Sequence, residues 1–272
     1  MFSYIKSGFR STLNQPFSVL VLFLYRFGWG VALYKLAQSY ILPILHRYPN
    51  VEGLEAQSHL FLAEAQFVLL KTDVSHSVLW LLAGLLVARM LLTPLLNAGL
   101  LYSLSNPHYN AGYRFVRGIK ELWKSYALLY AGQTLLTLLP LWWILPRMKT
   151  AFLSARTYPE MASELLPLLA LLLGYSFVVR LLFLYLQLGR ASSRSMGRSL
   201  GIALQSLPMM LGVAVLLLLA ASLCSLAVLG STIAWAGFWM LVLYQAYRFI
   251  QTLFSVWGIA SQQEIYRTRA ER

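Results

Sequence analysis

Acidic residues are scarce in this chain. Nine Asp and Glu stand against 22 Lys and Arg, and the only cysteine, Cys224, lies inside an apolar run. One thiol excludes an intrachain disulfide and a thiolate metal cage. His46, His59, His76 and His108 are too scattered for a zinc spacing, so no metal is expected. The chain has no glycine-rich phosphate loop ending in Lys-Ser or Lys-Thr, no Gly-x-Ser-x-Gly elbow and no close carboxylate pair on a helix face. Glu52, Glu55, Glu64 and Asp73 fall in one connecting segment and read as solvated surface. General acid-base or nucleophilic chemistry needs a proton acceptor beside its substrate, and the apolar segments contain no Asp or Glu in their cores. The sequence therefore predicts no catalytic residue, no cofactor and no enzyme.

What is present is apolar surface. Hydrophobic residues make up 59% of the 272 and charged residues 11%, with a mean hydropathy of +0.64. Soluble domains carry about a quarter charged residues. Crossing a hydrocarbon core takes about 20 helical residues, and runs of that length recur along the chain. The expected fold is an all-α, polytopic transmembrane helical bundle forming a single integral membrane domain, 1–272. Its predicted spans, about six in number, are 17–42, 77–102, 124–146, 165–189, 205–229 and 231–257. The stretch Phe17 to Leu45 exceeds a signal-peptide core and lacks a small-x-small cleavage site, so it reads as a retained first span. The outer surface loop 46–76 contains an amphipathic stretch that sets Phe61, Ala65, Val68 and Leu69 against Glu55, His59 and Glu64.

A net charge of +13 and a pI near 10.0 would suggest nucleic acid in a soluble protein. Here no long polar stretch could form such a module, and nucleic acid is not expected as a partner. Lys6, Arg10, Arg114, Arg117, Lys120, Lys124, Arg190, Arg194, Arg198, Arg267, Arg269 and Arg272 fall on one side of the predicted spans. Arg47, Lys71, Arg147, Lys149 and Arg156 fall on the other, with most of the acidic residues. The positive-inside rule makes the richer side cytoplasmic, along with both termini.

A weak internal repeat organises the chain. A short basic amphipathic segment precedes the first, third and fifth spans. Ile5, Phe9 and Leu13 oppose Lys6 and Arg10; Val116, Ile119 and Trp123 oppose Arg117, Lys120 and Lys124; Met196, Leu200, Ala203, Leu204 and Leu207 oppose Arg194 and Arg198. Such segments suit the headgroup layer, with their cations near anionic lipid headgroups. In the second member of each pair of spans an arginine precedes a glycine by nine or ten residues: Arg89 and Gly99, Arg180 and Gly189, Arg248 and Gly258. The pattern suggests three repeats of amphipathic surface helix plus two-span hairpin.

Arg26, Lys35, Arg89, Arg180 and Arg248 fall within the spans. Arg26, Arg89 and Arg180 lie roughly 13 to 22 Å along their apolar runs, at comparable depth. A lone guanidinium at mid-membrane costs at least ~2.5–3.5 kcal/mol, and no span carboxylate is there to pair with it. Two readings are open. Each arginine snorkels its head to the headgroups, or Arg26, Arg89 and Arg180, with Gln133 nearby, hold an anionic group such as a lipid phosphate. Pro94, Pro140, Pro167 and Pro208 interrupt apolar runs and could kink helices. Trp142, Trp143 and Trp123 mark span ends as interfacial anchors.

The connector Gly112-Tyr113-Arg114-Phe115-Val116-Arg117-Gly118, leading into paired spans, resembles that of uncharacterised six-span membrane proteins of Gram-positive bacteria. The layout is also loosely similar to the membrane domain fused to some glycerophosphodiester phosphodiesterases. The resemblance implies a bacterial plasma membrane and no active site, since catalysis in those fusions belongs to a separate soluble domain. The expectation is a multi-pass protein that binds or helps to move an anionic amphiphile such as a phospholipid. The alternative is a structural subunit without a ligand site, serving a membrane-protein partner or a second copy of itself.

Overall fold

A computed structural model describes residues 1–46, 73–154, 158–234 and 238–271. Among them the regular structure is helical throughout: α1 (Phe2–Leu13), α2 (Pro16–His46), α3 (Asp73–Ser105), α4 (Ala111–Leu138), α5 (Leu141–Ser154), α6 (Tyr158–Ala191), α7 (Met196–Gln205), α8 (Leu207–Ala234) and α9 (Phe238–Ala270). The all-α expectation holds. The amphipathic stretch expected in the outer loop, with Glu55, His59, Phe61 and Glu64, lies outside the described residues.

Among the described residues, five segments are long and apolar enough to cross a membrane: Pro16–Ser39, Trp80–Ser105, Ala111–Met148, Ser163–Ala191 and Leu207–Ser231. They match the first five predicted spans with shifted ends. The sixth, expected at 231–257, straddles the end of α8 and the first half of α9. α9 is not among the five, and Gln245, Arg248 and Gln251 interrupt its apolar sequence.

The third span departs from expectation most. Its basic leader and apolar stretch form one continuous helix, α4, because no proline stands between Gly118 and Leu138 to break it. The leaders of the first and fifth spans are separate helices. Pro16 biases Gln15 away from helical backbone and starts α2 at its first turn. Ser206 closes α7, donating its hydroxyl to the Ile202 carbonyl. Pro140 ends α4, since it cannot donate to the preceding turn.

The chain forms two compact units, Val21–Thr93 and the combination of Met1–Leu20 with Pro94–Arg272. Within Val21–Thr93, the hydroxyls of Tyr25 and Thr93 lie 3.1 Å apart. Thr93 already donates to the Arg89 carbonyl at 2.7 Å, so Tyr25 is the donor between them. Leu24, Phe27, Trp80, Leu86 and Leu91 are exposed.

In the larger unit the core lies among α4, α6, α8 and α9, with Tyr126, Tyr185, Leu188, Met210 and Val213 fully buried. The buried hydroxyls of Tyr126 and Tyr185 are paired, as burial requires. The Tyr126 hydroxyl donates to the Gln187 carbonyl (2.8 Å), and that of Tyr185 to Gln262 Oε1 (3.0 Å). Gln262 Nε2 donates onward to the Met210 carbonyl (2.9 Å), tying α6, α9 and α8 together. The pairs Tyr126 with Gln187, Gly132 with Phe183 and Tyr175 with Leu136 show α4 and α6 running antiparallel.

Each basic leader packs against a long helix at close range. A Cβ added to Gly8 of α1 would lie 2.7 Å from the Ser261 backbone of α9. One added to Gly118 of α4 would lie 2.9 Å from the Ala98 carbonyl of α3, and one on Gly189 of α6 would lie 2.6 Å from Ser199 Cβ of α7. Of the three glycines paired with arginine in the sequence, Gly99 faces the Phe115 ring, Gly189 faces Ser199, and Gly258 has open space around it.

Candidate functional site

α1 is built with three faces. Gly8 and Thr12 are buried, with Tyr4 and Ile5 packed against the Val213, Leu217 and Ile265 cluster of α8 and α9. Trp257 Nε1 donates to the Ile5 carbonyl (2.8 Å), and the Phe9 and Trp257 rings meet edge to face. Phe2, Phe9 and Leu13 form a second, exposed apolar face. Ser7, Arg10, Ser11 and Asn14, spaced as one helical stripe, form the third.

Beside that third face lies a knot around Arg114, a cation only 5% exposed. Its Nη1 donates to the Pro107 carbonyl (3.1 Å), and its Nη2 to the Asn14 carbonyl (3.1 Å) and Gln15 Oε1 (2.9 Å). The Ser103 hydroxyl donates to the same Gln15 oxygen (2.7 Å), and Gln15 Nε2 returns a bond to the Ser103 carbonyl (3.0 Å). Asn14 and Pro107 follow the C-terminal ends of α1 and α3, where unpaired carbonyls concentrate negative potential. Carbonyl dipoles thus stand in for a carboxylate.

The polar stripe of α1 opens onto a cleft of about 550 Å³. Its other walls are the last turns of α9 (Gln263, Glu264, Arg267, Glu271), the segment after α3 (Pro107, His108) and the segment after α6 (Ser192, Arg194). α6 ends with Ser193 in the left-handed region (φ 55°), the Ser193 N–H bonding the Arg190 carbonyl and the Arg194 N–H the Gly189 carbonyl. This closure turns Arg194 toward α9, where its Nη1 donates to the Ala270 carbonyl (2.8 Å). Arg267 Nε pairs with Glu271 at 3.0 Å, both side chains well exposed. Gln263 Nε2 donates to the Ser105 hydroxyl (3.3 Å), while its buried Oε1 accepts no hydrogen bond.

The arginines expected within the spans are placed as follows. Arg26 and Arg89 belong to the Val21–Thr93 unit and both are exposed. Arg180 belongs to the larger unit, exposed on α6 between buried Val179 and Leu181. The α4 and α6 pairing sets it level with half-buried Gln133. Among the basic leader residues, Lys6, Arg10, Lys120, Lys124 and Arg198 are exposed. Arg117 is half-buried, pairs with Glu121 at 2.6 Å and lies over the Tyr109 and Tyr113 rings. Arg10 and Arg194 both line the cleft; Lys6 does not.

Sequence reasoning missed the cleft's contributions from Gln263, Glu264 and Arg267, and the knot of Gln15, Ser103 and Arg114. The 7, 10, 11, 14 stripe was the available signal, but Ser7, Ser11 and Asn14 carry no charge and Arg10 also belongs to the basic face of α1. Among the described residues no group of three or more His, Cys, Asp or Glu could hold a metal ion. No family model, curated protein or solved structure matches the chain.

Proposed function

We propose that this chain is a multi-pass protein of a bacterial cytoplasmic membrane that binds or helps to move an anionic amphiphile such as a phospholipid. One observation carries the reading. Arg89 and Arg180 stand exposed on long helices whose other exposed residues are largely leucine, phenylalanine and tryptophan. In hydrocarbon, an outward guanidinium requires an oxygen-bearing companion, and its planar fork matches two phosphate or carboxylate oxygens. Gln133, level with Arg180, adds an amide that can bond the same group.

Six spans in three repeats, with both termini cytoplasmic, complete the proposal. Two features support it: α1 packs on the C-terminal half of α9, so the two ends of the chain are neighbours, and each basic leader packs on a long helix through a glycine or serine. The test is lipid mass spectrometry on gently extracted protein, comparing wild type with Arg89→Gln and Arg180→Gln. Co-purifying anionic lipid is expected to fall several-fold while expression and oligomeric state persist. An unchanged lipid profile would refute the proposal and favour a partner-binding subunit.

A further inference from the structure

The cleft between α1 and the end of α9 is a second place where an anion can be held. We propose that it binds a singly charged phosphodiester whose alcohol group carries free hydroxyls. The inference rests on the membrane setting proposed above, but not on Arg26, Arg89 or Arg180.

Three observations define this ligand. The first is charge. Arg10, Arg194 and Arg267 line the cleft against Glu264 and Glu271, a surplus of one positive charge. A phosphodiester carries one negative charge, a complement that a zwitterionic headgroup lacks. No described residue bonds the Arg10 guanidinium, and Arg194 commits only Nη1, to the Ala270 carbonyl. N–H groups from two sides therefore remain for phosphate oxygens.

The second observation is an unmet acceptor. Gln263 Oε1 is buried without a donor, and the Glu264 carboxylate lines the same wall without an ion pair among the described residues. An ionised phosphodiester has no hydrogen to give. The ligand must therefore bring its own donors, and a hydroxyl supplies them without altering the charge balance. Burying an amide oxygen unpaired costs about 1–3 kcal/mol, so a bound hydroxyl recovers free energy already forfeited by the free protein.

The third is position. Phe2, Phe9 and Leu13 present an exposed apolar face on the helix whose polar stripe lines the cleft. A headgroup in the cleft would leave acyl chains an apolar surface to follow. The cleft volume of about 550 Å³ falls within the range of small-molecule sites.

The same chemistry is offered by a lipid headgroup and by a free diester, and the experiment separates them. The full chain, reconstituted in phosphatidylcholine nanodiscs, is titrated with phosphatidylglycerol, with phosphatidylethanolamine and with soluble glycerophosphoglycerol, following bound ligand by native mass spectrometry. Phosphatidylglycerol should bind about tenfold or more tightly than phosphatidylethanolamine. Arg10→Gln should weaken it about tenfold and Gln263→Met about threefold or more, each losing one hydrogen-bonding group. Lys6→Gln, on the same helix but outside the cleft, should change it less than twofold. Binding of soluble glycerophosphoglycerol with the same variant pattern makes the free diester the ligand, whereas binding of the lipid alone makes it a headgroup site.

Equal losses in Lys6→Gln and Arg10→Gln would overturn the cleft in favour of diffuse surface charge. Equal affinity for the ethanolamine lipid would overturn the charge argument. Arg89→Gln and Arg180→Gln should leave this binding unchanged. If they abolish it while Arg10→Gln does not, the cleft falls and the intramembrane arginines stand; loss in Arg10→Gln alone retains the cleft and leaves the intramembrane arginines to the co-purifying-lipid test.

Discussion

Arg114 is a buried cation whose described partners are all neutral oxygens. Removing it leaves the Asn14 and Pro107 carbonyls without this donor and opens the junction that joins α1, α3 and α4. Arg114→Ala should cost about 2–4 kcal/mol, the range for breaking a buried charged hydrogen-bond set. Arg114→Lys should fall between, because one ammonium cannot reach three acceptors in a planar fork. The thermal midpoint in detergent reads both, and a midpoint unchanged in Arg114→Ala would show that the guanidinium adds nothing net. Nothing near Arg114 in the sequence reveals this role. It sits among Tyr113 and Arg117 like any surface cation, and its partner Gln15 is 99 residues away. The leader cations Lys6, Lys120 and Arg198, by contrast, are exposed as their amphipathic spacing implies.

Between elements, the same substitution carries opposite signs depending on what faces the helix. Gly8→Ala places a methyl carbon 2.7 Å from the Ser261 N and Cα atoms, which cannot move aside as a side-chain tip would. It should destabilise by about 1–3 kcal/mol through overpacking. Gly201→Ala, inside α7 with open space at its Cβ, should instead stabilise by up to about 1 kcal/mol through helix propensity. Thermal melts of the two variants check the pair, and equal shifts would show that α1 is not held at this distance from α9. Element boundaries were legible wherever a local cause existed. Pro16 and Pro140 interrupt the backbone where they stand, so the breaks at α1–α2 and α4–α5 follow from residue type. The merging of the third span with its leader was less legible, because alternating charge and apolarity predict a surface helix without saying where it ends.

For the whole molecule, the decisive expectation is topological. With six crossings, reporters fused at Met1 and Arg272 should both report the cytoplasm, and one inserted in the 46–76 loop should report the opposite side. Opposite compartments for the two termini would refute the even number of crossings.

Sequence alone determined the medium and the secondary structure of this protein. Apolar runs of bilayer length leave backbone groups no alternative to helix, because hydrocarbon offers them no partner. It also set which helices carry cations, since a helical stripe is a matter of spacing. Only the tertiary structure decided that the start and end of the chain meet, that Arg114 is buried while Arg180 is not, and that Arg10, Arg194 and Arg267 share one cleft. Those outcomes depend on contacts between residues far apart in the chain, and such contacts leave no mark on local periodicity.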